Sequence, residues 1–217
     1  MSETALRVGM FGGTFDPVHL GHLRSAVEVS ECLQLDKLHM IPAPRPPLRG
    51  HPQVSARDRL ALLEAGIKDT PGLIADGREL RRQGPSYSTL TLAELREEYG
   101  EAARLVMLLG QDAFLRLADW HQPEQLFALA HVVVVARPGY QSDRPAPLKE
   151  LIGEREVDSV SSLMAEPKGK LLTQTLPTSM AISATLIRQR LADHRSVRYL
   201  LPETVEKQIH ARQLYTF

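Results

Sequence analysis

The eleven residues from Gly12 to His22, GGTFDPVHLGH, combine residue types that suit the binding of a polyphosphate. His19 and His22 are three positions apart at the start of a helical pattern, so they share one face of that helix. Gly21 between them has no Cβ, which lets a ligand come close to the backbone. The N–H groups at a helix start favour anions. Paired imidazoles at such a helix start therefore predict a phosphate site.

Each part of this segment also has a purely structural explanation. A histidine pair at this spacing is more often surface or packing, and Gly12-Gly13 alone is more often a simple turn. The combination is more specific because it follows directly on an apolar strand pattern, residues 6–11. In parallel sheets, ligands bind beyond the carboxyl ends of the strands, which is where this segment would lie.

Short β-rich runs alternate with helical patterns along the chain. Strands separated by helices predict a parallel sheet, and right-handed crossovers place helices on both of its faces. The predicted fold class is α/β, a doubly wound, Rossmann-like parallel sheet with a C-terminal helical part. The predicted strands are 6–11, 37–41, 73–75, 104–109, 131–136 and 171–176, and the predicted helices are 20–33, 55–68, 89–99, 112–117, 123–130, 183–191 and 202–212.

The chain of 217 residues is predicted to form a single domain, 1–217. The Pro-rich stretch 42–49 is predicted to be a loop. Segment 138–169 has mixed charges, and Pro145 and Pro147 break its pattern. We therefore expect a surface excursion or an insertion there.

Acidic and basic residues balance at 26 each, so the formal net charge is zero. This balance argues against a nucleic-acid coat protein and against a polybasic membrane binder. Twenty of the basic residues are arginine, whose forked guanidinium suits phosphate, although codon bias explains the excess equally well. The chain shows neither a leader pattern nor an apolar run long enough to cross a bilayer. We expect a cytoplasmic protein without nucleic-acid or membrane partners.

Two segments resemble the signatures of the nucleotidyltransferase superfamily with the His-x-Gly-His motif. The first is 12–22, and the second is Ile182 to Arg188, ISATLIR, where the superfamily usually has Ile-Ser-Ser-Thr-x-Ile-Arg. More narrowly, the chain is similar to the bacterial nicotinate-nucleotide adenylyltransferase family over nearly its whole length. Shorter matches in the family's order are 84–88, 110–112, Trp120, 136–139 and 199–202.

The chain departs from the family's pattern at three places. Ala184 replaces the second serine of the second signature, which weakens any role for a hydroxyl there. Leu48-Arg49 stands where the family usually has His-Lys, so the basic residue of the Pro-rich loop that reaches the phosphates is not identified. Leu90 replaces a common aspartate. None of these changes affects the two histidines.

The resemblance implies adenylyl transfer from ATP to nicotinate mononucleotide, with pyrophosphate as the leaving group. Such catalysis is mostly positioning and charge stabilisation. The implied catalytic residues are His19 and His22 on the ATP phosphates and Arg188 on the pyrophosphate. Mg²⁺ is implied by the ATP chemistry and is expected to be held mainly by phosphates and waters. The other implied ATP-binding residues are Gly12, Gly13, Thr14, Phe15, Gly21, Ser183 and Thr185.

The acceptor site is implied around the turn 86–89, which opens a helix whose N–H groups suit the nicotinate carboxylate. Trp120, the only tryptophan, is implied to stack on the pyridine, although core packing is its simpler explanation. Asp112 is implied to bind a ribose hydroxyl, although a helix N-terminal acid explains it as well. The implied acceptor-binding residues are Ser86, Tyr87, Ser88, Asp112 and Trp120.

Three other functions stay open at this point. A sister transferase for nicotinamide mononucleotide or another phosphate acceptor would share the glycine–histidine segment. A class I tRNA-synthetase-like core would need a Lys-Met-Ser-Lys-Ser-type loop and an anticodon domain, and the chain has ISATLIR instead. A non-catalytic nucleotide sensor would tolerate loss of either histidine, and both are present. A homo-oligomer is compatible with the sequence.

Overall fold

The computed structural model describes residues 5–44, 52–136, 143–178 and 180–216. Seven strands form one parallel sheet in the order β3-β2-β1-β4-β5-β7-β6. The strands are β1 (Arg7–Gly13), β2 (Lys37–Pro42), β3 (Leu73–Ala75), β4 (Arg104–Gly110), β5 (His131–Ala136), β6 (Glu156–Val157) and β7 (Leu171–Thr175). The helices are α1 (Leu20–Leu33), α2 (Ala56–Ile67), α3 (Arg78–Arg81), α4 (Ser88–Tyr99), α5 (Gln111–Phe114), α6 (Pro123–Leu129), α7 (Ala146–Ile152), α8 (Val160–Met164), α9 (Ala184–Ala192) and α10 (Glu203–Ala211).

Alternate residues of each strand face two separate hydrophobic clusters. In β4, Val106 and Leu108 belong to one cluster, whereas Leu105 and Met107 belong to the other. Strands buried on both faces have continuous apolar sequences, as these have. Helices α1, α2, α8, α9 and α10 cover the first cluster, and α4 to α7 cover the second. The predicted doubly wound fold is confirmed, with the C-terminal helices on the first face.

The strand order reverses between β1 and β4, which lie side by side at the centre of the sheet. In an open parallel sheet, ligands bind beyond the carboxyl ends of the strands at such a reversal. The loop after β1 carries the histidine motif, and the turn after β4 leads into α5. The fold therefore places both segments at the expected binding edge.

Strand β1 continues through Gly12 and Gly13, so the prediction that these glycines form the turn is wrong. They pair in register with Ile41 and Pro42 of β2. Glycine is a weak strand former, which is why the sequence suggested an earlier end. Pairing with β2 extends the strand, and the connection to α1 begins at Thr14.

The described part of the predicted excursion, 143–169, is more regular than the sequence suggested. It contains α7, α8 and the edge strand β6, which pairs with β7. Leu148 of α7 and Leu163 of α8 are fully buried. Pro145 and Pro147 lie at the N-cap and in the first turn of α7, where a missing N–H costs little.

The structure differs from the predicted elements at two further places. Helix α3 was not predicted, and the predicted helix 112–117 is split into α5 and a single 3₁₀ turn, Leu117–Asp119. Most of the Pro-rich loop and the start of segment 138–169 lie outside the described residues. In the part of the chain that the structure describes, no helix is long and apolar enough to span a membrane.

Candidate active site

His19 forms the N-cap of α1 with its own ring. Its backbone is extended, and its Nδ1 accepts a hydrogen bond from the backbone N–H of His22 at 3.3 Å. Because an acceptor nitrogen carries no proton, the neutral ring holds its proton on Nε2. His19 is buried, and desolvation lowers its pKa from 6.5 to about 4. The free protein at neutral pH therefore presents His19 as a neutral imidazole with one donor.

The two histidine rings are stacked at the start of α1. Their centroids are 3.6 Å apart, and the ring planes differ by 23°. Phe15 contacts the His22 ring edge-on at 5.1 Å, and its own ring is buried. Phe15 has a φ of 47°, a left-handed conformation that is unusual for a large side chain. Packing of these three rings fixes the orientation of both imidazoles.

Glycines provide space at two points of this loop. A Cβ on Gly21 would lie 3.1 Å from His19 Nδ1 and 3.7 Å from Ile182 Cβ, so glycine lets both approach. A Cβ on Gly13 would lie 2.9 Å from the Phe15 ring. Gly12 is exposed, and its nearest neighbour would be 3.9 Å away. The sequence predicted that a ligand approaches the backbone at Gly21, but His19 and Ile182 fill that space, and the open backbone is at Gly12.

The second signature docks directly onto the first. The Gly21–Ile182 approach is one contact, and Arg188 makes another because its Nη1 donates to the Asp16 carbonyl oxygen at 2.7 Å. Ser183 is the N-cap of α9, and its Oγ accepts a hydrogen bond from the backbone N–H of Leu186. Thr185 is exposed, with Oγ1 3.4 Å from Arg188 Nη2. We call residues 12–22 and 182–188 together the phosphate cluster.

Arg59 supports the phosphate cluster from beneath, and sequence reasoning missed it. It is completely buried on α2, and its Nη1 donates to the Thr14 carbonyl oxygen at 2.6 Å. Its Nη2 donates to the Pro44 carbonyl oxygen at 3.2 Å, which joins the ends of β1 and β2. Only its place on the core-facing side of a helical pattern could have indicated that this arginine is buried. Thr14 itself is partly buried.

The helix start at Tyr87–Ser88 differs from those of α1 and α9 because no side chain caps it. Thr89 in its first turn is buried, and its Oγ1 has no hydrogen-bond partner among the described residues. The Nε1 of Trp120 is likewise buried and without a described partner. Unpaired buried polar atoms are costly. Within the described part of the chain, each of these two atoms therefore lacks a hydrogen-bond partner that a ligand could supply.

A ring contact joins the two segments that carry Thr89 and Trp120. Tyr87 stacks on the ring of His121 with centroids 4.0 Å apart, and His121 follows Trp120 in the chain. Sequence reasoning did not identify His121, because the family resemblance includes Trp120 but not the residue that follows it. Asp112 is exposed in the first turn of α5. We call residues 86–89, Asp112 and 120–121 the acceptor cluster.

Ser86 already has a partner within the protein. Its hydroxyl accepts a hydrogen bond from Arg82, whose other nitrogen donates to Glu94 at 2.6 Å. Nearby, buried Glu79 accepts from the Thr91 hydroxyl at 2.7 Å, and burial raises the pKa of Glu79. These bonds hold the turn before α4 in place.

The described residues of the phosphate cluster include few side chains that could ligate a metal ion. Across the described ranges, no three His, Cys, Asp or Glu side chains are grouped so that they could hold a metal ion. The Asp16 carboxylate is occupied by the hydroxyl of Tyr215 at 2.9 Å and the backbone N–H of Gln53 at 3.1 Å.

Known proteins are similar to this chain over most of its length. The family model described as cytidylyltransferase-like matches residues 10–190. A probable nicotinate-nucleotide adenylyltransferase of Chromohalobacter salexigens is 59% identical over 96% of this chain and 95% of its own length. A protein of the same name from Pseudomonas fluorescens is 45% identical over 96% and 97%.

Solved structures share the fold at low sequence identity. The nicotinic acid mononucleotide adenylyltransferase of Plasmodium falciparum, in complex with NaAD, has a TM-score of 0.70 at 15% identity, covering 98% of both chains. A putative nicotinate-nucleotide adenylyltransferase of Vibrio parahaemolyticus has a TM-score of 0.63 at 17% identity, covering 94% of this chain and 99% of the other.

Proposed function

The chain belongs to the nicotinate-nucleotide adenylyltransferases of the cytidylyltransferase-like family, and we propose that the phosphate and acceptor clusters together form its active site. The enzyme joins ATP and nicotinate mononucleotide to give nicotinate adenine dinucleotide and pyrophosphate, a step of NAD biosynthesis. The observation that carries the proposed site is the docking of Arg188 and Ile182 onto the histidine loop. Two distant segments thereby meet at the strand-order reversal.

The reaction is an in-line displacement at the α-phosphorus of ATP. An oxygen of the acceptor's phosphate forms a bond to that phosphorus, while the bond to the oxygen bridging to the β-phosphorus breaks. The bonding electron pair leaves with pyrophosphate. The nucleophile is already ionised, so no protein group has to attack or to remove a proton. The protein's task is to align two anions and to stabilise charge.

The phosphate cluster is built for the ATP side of this reaction. Neutral His19 offers its Nε2–H to a phosphate oxygen, and His22 stacks beside it. Arg188 has five N–H donors and directs only part of them to the protein, so others remain for the leaving pyrophosphate. The α9 N-terminus at Ser183 adds a favourable potential for anions.

The acceptor cluster supplies groups that suit a pyridine carboxylate. The uncapped start of α4 offers backbone N–H groups, and the Thr89 hydroxyl and Trp120 Nε1 need acceptors. A carboxylate accepts several hydrogen bonds at once, whereas a carboxamide has one acceptor oxygen and two N–H donors. We therefore propose that this cluster prefers the nicotinate form.

Mg²⁺ is proposed to enter with ATP, held by phosphate oxygens and water. When bound, it would neutralise charge on the transferred phosphate and on the leaving group. The cytoplasmic location, the absence of nucleic-acid and membrane partners, and a homo-oligomer stay predictions from the sequence.

The test is pyrophosphate release by the purified protein with ATP, Mg²⁺ and nicotinate mononucleotide, with the dinucleotide product identified by mass spectrometry. We expect stoichiometric pyrophosphate and dinucleotide, and their strong reduction in His22→Ala. Exposed His210 on α10 offers a matched control, since His210→Ala should not change turnover. If the protein turned over only with a different phosphate acceptor, the proposed role of the phosphate cluster would stand and the proposed role of the acceptor cluster would be wrong. Binding of ATP without turnover on any acceptor would favour the sensor alternative.

A further inference from the structure

Tyr215 near the C-terminus is buried beneath the phosphate cluster. After α10, residues Gln213 and Tyr215 adopt positive φ values of 51° and 61°, which turn the chain back. The Tyr215 side chain is 1% exposed and lies in the first hydrophobic cluster. Its hydroxyl donates to Asp16 Oδ1 at 2.9 Å. A residue outside both signatures thus reaches the loop that carries the histidines.

Asp16 presents two kinds of acceptor to Arg188. Arg188 Nη1 donates to the backbone carbonyl oxygen of Asp16 at 2.7 Å and lies 3.8 Å from its carboxylate Oδ2. The carboxylate carries the charge and attracts a guanidinium more strongly than a carbonyl does. The carboxylate thus forms only a long ion pair with Arg188, and its shorter contacts are with other groups.

Those partners come from Tyr215 and from the backbone N–H of Gln53, one on each carboxylate oxygen. Burial and the neighbouring carboxylate raise the pKa of Tyr215, so its hydroxyl keeps its proton and remains a donor. Buried Arg59 holds the adjacent Thr14 carbonyl and so fixes the backbone of the same loop. The carboxylate is thus turned toward the protein interior.

We propose that Tyr215 is a positioning residue for adenylyl transfer: its hydroxyl holds the Asp16 carboxylate, so that Arg188 stays on the Asp16 carbonyl and keeps its remaining donors for pyrophosphate. This inference rests on the proposed role of Arg188 in the phosphate cluster. Without the hydroxyl, the carboxylate would turn to form a direct hydrogen bond with Arg188 in place of the present 3.8 Å ion pair, and would draw the guanidinium away from the nucleotide. The C-terminal turn would then control ATP binding without touching ATP.

The experiment compares Tyr215→Phe with wild type in steady-state kinetics for both substrates. Phenylalanine keeps the buried ring, so the fold should survive, and thermal melting checks it. We expect kcat/KM for ATP to fall about fivefold to tenfold, with KM for nicotinate mononucleotide unchanged. The loss of one buried hydrogen bond should lower Tm by only about 2–4 °C.

Tyr99→Phe is the matched control because it removes another tyrosine hydroxyl from a hydrogen bond. That hydroxyl bonds His39 Nε2 at 2.9 Å, and Tyr99 packs against the second cluster, on the opposite face of the sheet. It should lower Tm by a similar amount and leave the kinetics for ATP unchanged. Equal losses of kcat/KM for ATP in both variants would reduce Tyr215 to a packing role and overturn the inference.

A double-mutant cycle with Arg188→Ala shows whether Tyr215 acts through Arg188. The readouts are kcat/KM for ATP and the dissociation constant of a non-hydrolysable ATP analogue. We expect Tyr215→Phe to have no further effect once Arg188 is absent, whereas independent, multiplicative effects would contradict the inference. If Arg188→Ala weakens ATP binding but Tyr215→Phe does not, only the inference fails. If Arg188→Ala itself has no effect on ATP, the proposed role of Arg188 fails as well.

Discussion

The phosphate cluster and the acceptor cluster lie at the same edge of the sheet but differ in how their polar groups are satisfied. In the phosphate cluster, His19 caps α1, Ser183 caps α9, and Arg59 binds the Thr14 carbonyl. In the acceptor cluster, α4 begins without a side-chain cap, and Thr89 Oγ1 has no described partner. Side chains therefore cap the helix starts of the phosphate cluster, whereas the helix start of the acceptor cluster is left without a side-chain cap.

This difference matches the tasks that we propose for the two sites. Stabilising charge on ATP requires donors that are fixed before the reaction, because reorganisation then adds nothing to the barrier. Discrimination between acceptors requires polar groups in the site that only the correct ligand can pair. The wrong ligand leaves these buried groups unpaired, which costs binding free energy. We infer that the phosphate cluster mainly sets the rate and the acceptor cluster mainly sets the choice of substrate.

Among the variants that test this difference between the clusters, His22→Ala should have the largest effect. Removing the stacked imidazole should lower kcat about 10²- to 10³-fold, as expected for one preorganised donor to developing charge. Tm should change little because His22 is only partly buried. Stopped assays of pyrophosphate release give the rate. Turnover within a few-fold of wild type in a folded variant would exclude a role for His22 in stabilising the transition state.

Arg188→Ala should have the next largest effect. Loss of a charge-assisted contact to the leaving group should reduce kcat/KM for ATP about tenfold to a hundredfold, and pyrophosphate should inhibit less well. Arg190 on the same helix is the control, since its guanidinium bonds the Ser196 carbonyl. Arg190→Ala should leave both constants near wild type. Unchanged ATP and pyrophosphate binding in Arg188→Ala would make it a surface residue.

Trp120→Ala tests the acceptor cluster. Loss of the indole ring should raise KM for nicotinate mononucleotide about tenfold, with KM for ATP nearly unchanged. Trp120→Phe should recover part of this loss because it restores an aromatic ring. Titration of each substrate at saturating concentrations of the other measures both constants. Equal increases in the two KM values would indicate that Trp120 serves packing.

The smallest effect concerns stability in acid. His19 and His131 are both buried, and burial lowers each pKa from 6.5 to about 4. Between these pH values the unfolded chain binds more protons, so the free energy of unfolding falls as the pH is lowered. Each histidine should contribute on the order of 1–2 kcal/mol to this loss.

Urea unfolding at pH 7.5 and pH 5 measures this contribution. His131 is the first residue of β5, and its ring bonds the Glu166 carbonyl and the Lys170 N–H, which lie in the segment before β7 and away from both clusters. His131→Gln should therefore reduce the pH dependence of stability while leaving kcat unchanged, whereas His19→Asn should change both. An unaltered difference between the two pH values in His131→Gln would contradict the assignment of a neutral buried histidine.

Hydrophobic patterning was enough to predict the sheet, its parallel strands and the helices on both faces. It failed where short elements depend on neighbours. Edge strand β6 has two residues and exists because β7 offers a partner. Helix α7 begins at prolines that read as breaks in the sequence but fit a first helical turn.

In the candidate site, contacts between sequence neighbours could be predicted, whereas contacts between residues far apart in the chain could not. The caps formed by His19 and Ser183 follow from residues next to each other, and local sequence indicates a helix start at both. The supports formed by Arg59 and Tyr215 depend on contacts 45 and 199 residues away along the chain. Nothing in the local pattern around Tyr215 indicates that it reaches Asp16.

The most direct test of the central claim is the ratio of kcat/KM for nicotinate mononucleotide to that for nicotinamide mononucleotide, measured in wild type and in Thr89→Val. Valine keeps the shape of Thr89 and removes the hydroxyl that has no described partner. Thr204→Val, which removes a hydroxyl bonded to the Ala65 carbonyl at the end of α2, is the control. We predict a strong nicotinate preference in wild type and in the control, and a ratio about tenfold lower in Thr89→Val. A wild type without preference, or a ratio that Thr89→Val leaves intact, would contradict the claim that the acceptor cluster is completed by the substrate's carboxylate.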